Sequence, residues 1–142
     1  MGSLSRNSGL ISGAACVGIG ASIGTLLRAV LEESFPHSAT SWPIATFLIN
    51  LSGSLILGFL LTALANLGED TGWRHTARLT LGTGVIGGFT TYSTFILEIH
   101  KLQLPVCLAY AAVSVIVGIA CAGAGIAAAN ALVPPAGREA LR

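Results

Sequence analysis

The sequence predicts an all-α integral membrane protein of four transmembrane helices, and two observations carry that prediction. Charge is scarce: 7 Lys+Arg and 6 Asp+Glu make up 9% of 142 residues, against about 25% in a soluble domain. Charge is also withheld from long stretches. Segments 43–67, 79–97 and 104–133 contain none, and Arg28 alone interrupts 8–31. A helix needs about 20 apolar residues to cross roughly 30 Å of hydrocarbon, and four such runs fit. Only helices and closed barrels satisfy their backbone in lipid; these runs are too long for barrel strands and show no alternation of period two.

The elements follow in order within a single domain, 1–142. The first crossing, TM1, is 10–31. Arg6 ahead of an apolar core resembles a secretory signal, but the run is too long, and Gly13-Ala14-Ala15-Cys16 lacks the Leu of a lipoprotein box. Arg6 also stands where a myristoylation signal wants Ser or Thr, so TM1 reads as a retained helix. TM2 is 43–67, TM3 79–100 and TM4 105–133. Between them lie 32–42, broken by Pro36 and Pro43, then the charged segment 68–78 and a tight turn at 101–104. From Pro134 a polar end is expected to fray.

Four crossings put both termini on one side, with Arg6, Arg74, Arg78, Arg138 and Arg142 there and Arg28 and Lys101 opposite. The positive-inside rule then favours internal termini, by a margin small enough for insertion both ways. Small residues are dense, with 18 Gly and the spaced pairs Gly20/Gly24, Ser54/Gly58, Gly84/Gly88 and Gly118/Ala122. Lipid gives helices little hydrophobic reason to associate, so close backbone approach must supply it. Four helices offer little interior for so many packing faces, and homo-oligomerisation is the expected outlet. A net charge of +1 gives no footprint for nucleic acid. Cys16, Cys107 and Cys121 have no metal or redox spacing and read as packing residues.

Polar side chains inside a bilayer are functional hypotheses by default. Asn50 sits mid-TM2 on one stripe with Thr46, Gly53 and Ser54; an interhelical hydrogen bond is the plain alternative to a functional amide. TM3 crowds glycines in its first half (Gly82, Gly84, Gly87, Gly88) and hydroxyls in its second (Thr90, Thr91, Ser93, Thr94). Both types are mediocre helix formers, and a break is expected there. A break frees carbonyls for a cation and N–H groups for an anion. Tyr92 and Phe95 share a face; their positive ring edges suit an anion, or they simply pack. In TM4, Tyr110 and Ser114 form a second polar pair, although Tyr110 also suits an interfacial belt.

These residues resemble a known family. Gly87-Gly88-Phe89-Thr90-Thr91-Tyr92-Ser93-Thr94-Phe95 is similar to the GG-x-TTFSTF signature of the Fluc (CrcB) fluoride channels. Thr46-Phe47-Leu48-Ile49-Asn50-Leu51-Ser52-Gly53 resembles their TL-x-x-N-x-x-G segment. Gly20 to Arg28 resembles their glycine-rich first helix, and Glu98 follows Phe95 by three as theirs does. The resemblance implies an antiparallel, dual-topology homodimer with two anion pores in the cell membrane, passing fluoride passively. It implies Asn50 as the pore amide, Tyr92 and Phe95 as an aromatic box, and Ser93, Thr94, Tyr110 and Ser114 as a polar track. Arg28 and Glu98 would belong to a vestibule. The carbonyls of Gly87 and Thr90 would hold a structural Na⁺ at the dimer interface. Tyr92 departs from the family's Phe, adding a hydroxyl to the path, and Ile116 and Gly118 stand where further hydroxyls are expected.

Three other classes fit the sequence less well. A proton-coupled small multidrug transporter needs a membrane-embedded carboxylate, whereas Glu32 and Glu33 lie at the end of TM1 and no Asp or Glu lies mid-helix. A membrane enzyme needs paired carboxylates or a Cys/His arrangement, and none is present in the sequence. A non-transporting scaffold subunit is the bland alternative, and the TM3 motif together with Asn50 argues against it.

Overall fold

The computed structural model describes residues 2–35 and 42–135, with residues 2–9 as backbone only. Pro36, Arg138 and Arg142 lie outside these residues, as does the side chain of Arg6. The described secondary structure is helical throughout: α1 (Gly2–Ser34), α2 (Ile44–Asn66), α3 (Gly72–Ala77), a π-helical segment π1 (Arg78–Ile86), α4 (Gly87–Phe89), α5 (Ser93–Lys101) and α6 (Leu104–Leu132). Among the described residues three helices are long and apolar enough to cross a membrane: Leu10–Ser34, Ile44–Asn66 and Leu104–Leu132. Their outward residues, such as Ile19, Leu26, Leu48, Ile116 and Ile119, are large, apolar and exposed, as a lipid-facing surface requires. With the family evidence given below, this makes the chain a multi-pass membrane protein.

Helix ends follow local chemistry. α2 starts immediately after Pro43, and α6 carries Pro105 in its first turn; a helix start has no use for the N–H that proline lacks. At the other end of α2, Gly68 adopts φ +126° to turn the chain, a conformation that costs a glycine little. Arg74 then reaches back over that end, donating through Nε to the Glu69 carbonyl at 2.6 Å. Arg78 donates to Asp70 at 2.8 Å. That hydrogen bond, with His75 beside it, holds the Asp70 carboxyl below its ordinary value of 3.8.

The helices pack as two close pairs, α1 against π1 and α4, and α2 against α6, with far fewer contacts between the pairs. Glycine makes both pairs possible. A Cβ on Gly20 would collide with the Thr80 carbonyl and lie 3.0 Å from the Gly84 Cα; one on Gly24 would collide with the Val85 carbonyl. In the second pair a Cβ on Gly58 would strike the Ala122 carbonyl, and one on Gly125 the Leu55 carbonyl. The predicted small-residue pairs therefore meet one another inside a single chain: Gly20/Gly24 faces Gly84/Gly88, and Gly58 faces Ala122. These four stripes are occupied within one chain. Any case for a dimer has to rest on other features.

TM3 was expected to span 79–100. The segment instead consists of α3, π1, α4 and α5, with the chain leaving helical geometry at Thr90 (φ −74°, ψ 155°) and re-entering it at Ser93. In π1 the ladder is wound one residue looser, so that the Gly87 N–H donates to the Gly82 carbonyl five residues back. Such winding is uncommon and concentrates at functional sites. Gly82 and Gly84 leave room for it, and both are buried against neighbouring helices.

Candidate functional site

The interruption at 90–92 is built by side chains of its neighbours. In an unbroken α-helix the Thr91 N–H would donate to the Gly87 carbonyl and the Thr94 N–H to the Thr90 carbonyl. Here the Thr91 N–H donates to Asn50 Oδ1 at 2.9 Å, and the Thr94 N–H donates to Thr91 Oγ1 at 3.1 Å. Asn50 completes the exchange by donating from Nδ2 to the Thr91 carbonyl at 3.0 Å. The amide of Asn50 thus pairs with one residue of backbone as a neighbouring strand would, meeting the demand that buried peptide groups be bonded. Thr91 is 6% exposed, and its hydroxyl donates to Thr94 Oγ1 at 3.1 Å. The Gly87 and Thr90 carbonyls are among those that lose their helical donors at the interruption, and backbone oxygens are the donor type that hard cations take.

Beside the interruption lies a cavity of about 300 Å³. Asn50, Thr90, Tyr92, Phe95 and Ser114 line it, joined by Ser54, Thr91 and Val115. Ser114 stands one turn after Tyr110 on α6 with its hydroxyl oxygen buried, and the Tyr110 hydroxyl is the polar group beside it. Asn50 has a second amide hydrogen beyond the one given to Thr91. Tyr92 is 76% exposed, with its ring centroid 6.2 Å from that of Phe95.

The remaining predicted residues are not among those that line this cavity. Ser93 and Thr94 belong to the first turn of α5, where their hydroxyls gather on Thr91 Oγ1 at 3.3 and 3.1 Å. Tyr110 is fully buried and donates its hydroxyl to Glu98 Oε2 at 3.0 Å. Thr46 donates to Glu98 Oε1 at 2.7 Å. Glu98 is only 5% exposed. Its side chain ties α5 to α2 and α6 from inside. Arg28 is half-buried on α1 and is not among the lining residues.

Three contributors escaped sequence reasoning. Thr91 was one of several hydroxyls in a row, with nothing to mark it as the cap of α5. Trp42 and Phe47 extend the aromatic cluster: the Tyr110 ring lies 5.3 Å from Phe95, 5.2 Å from Trp42 at 89°, and 6.5 Å from Phe47. Trp42 stood in a loop by sequence, and only its place immediately before α2 hinted at a packing role.

Comparison with known proteins shows the family. A family model described as CrcB-like protein, Camphor Resistance (CrcB), matches residues 15–126. A fluoride-specific ion channel FluC 2 of Leifsonia xyli subsp. xyli is 41% identical over 118 residues, covering 80% of this chain and 81% of the relative. A fluoride-specific ion channel FluC of Deinococcus radiodurans is 42% identical over 113 residues, 75% and 86% of the two chains. Another, from a Methylobacterium species, is 39% identical over 115 residues, 81% and 90%.

Proposed function

The chain belongs to the CrcB-like family, and on that premise we propose that it is a fluoride-specific ion channel of the cell membrane. It performs no covalent chemistry: the protein lets fluoride run down its gradient. The observation that carries the reading is the cavity beside the interrupted helix, which Ser114 and Asn50 line together with Tyr92 and Phe95. A small anion holds its water tightly, so a pore must offer hydrogen-bond donors in exchange, and Ser114 and Asn50 supply them. The positive ring edges add a weaker attraction without a fixed charge to trap the ion. Ser93, Thr94 and Tyr110 support this path from behind, because their hydroxyls are engaged with Thr91 and Glu98.

In this reading the segment 72–101 is the fourth crossing, and its interruption lies at membrane depth. Irregular backbone is tolerated there only when covered by protein or lining a wet cavity. Tyr92, exposed and apolar only in its ring, supports a second copy or water on that face in preference to lipid. The assembly we favour is an antiparallel homodimer of dual topology. In it the Gly87 and Thr90 carbonyls of both copies would supply four oxygens to a structural Na⁺. That ion would supply a fixed positive charge near the anion path.

Purified protein in liposomes loaded with fluoride tests the function. Fluoride efflux with chloride retained is expected, and Tyr92→Phe should alter the fluoride rate while keeping the selectivity. Equal fluoride and chloride efflux would refute the channel as described. Cysteine labelling at the 68–71 loop from each side of the membrane tests the topology: labelling from one side only rules out the antiparallel arrangement.

A further inference from the structure

The four atoms that interrupt the helix have a consequence beyond shaping the chain. Of the peptide N–H groups that leave the helical ladder there, two are taken by a side-chain acceptor: the Thr91 N–H by Asn50 Oδ1 and the Thr94 N–H by Thr91 Oγ1. Without Asn50 Oδ1, the nearest helical acceptor for Thr91 N–H is the Gly87 carbonyl. Without Thr91 Oγ1, the nearest for Thr94 N–H is the Thr90 carbonyl, which would extend α5 backward. A carbonyl that accepts a helical hydrogen bond is a poorer cation ligand, since its lone pair is shared and its direction is fixed along the helix.

We propose that Asn50 and Thr91 are positioning residues for the cation site. By diverting the two N–H groups, they hold the Gly87 and Thr90 carbonyls available to Na⁺. The proposal rests on the sodium reading above. It assigns to Thr91, which has no place in the aromatic box or the polar track, a role on a ligand it does not touch. It also gives Asn50 two roles in one amide: Oδ1 and one N–H serve the interrupted backbone, and the second N–H faces the cavity. The clasp closes on itself, because Asn50 Nδ2 holds the Thr91 carbonyl at 3.0 Å while Oδ1 holds its N–H. Thr91 cannot rotate back into helical geometry without breaking both bonds.

The test uses the full chain, purified in detergent, with thermal unfolding followed as Na⁺ replaces N-methylglucamine at constant ionic strength. The wild type should gain stability with a defined Na⁺ midpoint. Thr91→Val removes the hydroxyl at nearly constant volume, returns the Thr94 N–H to the Thr90 carbonyl, and should raise the Na⁺ midpoint by about tenfold, the factor one net hydrogen bond is worth. Thr91→Ser keeps the hydroxyl and should stay within about twofold of wild type by the same reckoning. Thr91→Cys keeps the shape but accepts weakly, so its midpoint should rise as well; it decides the matter against Thr91→Ser if the valine variant does not fold. Equal midpoints for the hydroxyl and non-hydroxyl variants, with a sodium-dependent wild type, would overturn the positioning role and leave the sodium reading standing. A wild type indifferent to Na⁺ would overturn both.

Discussion

Substituting Gly24 by Ala tests the packing of α1 against π1 and α4 in isolation, because Gly18 on the same helix provides its own control. An added Cβ at Gly24 would lie 2.7 Å from the Phe89 nitrogen and 2.9 Å from the Val85 carbonyl carbon, where ordinary contact begins at 3.4 Å. The Val85 carbonyl oxygen lies closer still, so the backbone at both Val85 and Phe89 would have to retreat, and neither is a side chain that can swing away. Overpacking of this kind costs about 1–3 kcal/mol. At Gly18 the same Cβ meets nothing within 4 Å. Both substitutions gain about 1 kcal/mol of helix propensity, so that gain cancels in the comparison, and Gly24→Ala should be less stable than Gly18→Ala by the full packing cost of about 1–3 kcal/mol. Reversible unfolding in mixed micelles of rising SDS fraction measures the difference. Equal stabilities, or a more stable Gly24→Ala, would refute the close packing of α1 on α4.

Other outcomes follow from the same geometry. Glu98→Ala deprives the buried hydroxyls of Thr46 and Tyr110 of their shared acceptor, at about 1–3 kcal/mol for each group left unsatisfied. Glu98→Gln retains one acceptor oxygen and should lose less in the same SDS titration; equal losses would mean the carboxylate is not what satisfies them. Asp70 is held below 3.8 by Arg78, so its contribution is present above that value and is lost as pH falls through the lowered pKa. Asp70→Asn should therefore differ from wild type in melting temperature at pH 7 and converge with it below the carboxylate range. A gap that persists in acid would place the effect elsewhere.

Sequence and structure agree where side chains carry the message. The uncharged runs mark α1, α2 and α6 because a bilayer imposes length and composition directly on the residues. Asn50 and the Gly87–Phe95 motif led to the right neighbourhood, since a polar group in an apolar run has few cheap places to be. The winding of π1 left no such trace: Gly82, Gly84 and Gly87 have no side chains to show a period. Glu98, near the end of its run, reads as a residue reaching for water, and only the convergence of Thr46 and Tyr110 from two other helices explains its burial. The glycine stripes gave the contact type but not the helix opposite, because spacing along one helix does not say which helix it faces.

The pairing of α1 with π1 and of α2 with α6 bears on how the chain is made as well as how it stands. The two pairs interleave in sequence, so no helix finds its partner next in line. When α2 has left the ribosome its glycine face has nothing to meet until α6 follows about 40 residues later, some 2–8 s at about 5–20 residues per second. α1 meets π1 and α4 within that interval, so it is the α2 face that stays open in lipid throughout it. Biogenesis, more than the finished fold, is then the stage at which these small-residue faces are exposed to wrong partners, including nascent copies of the same chain.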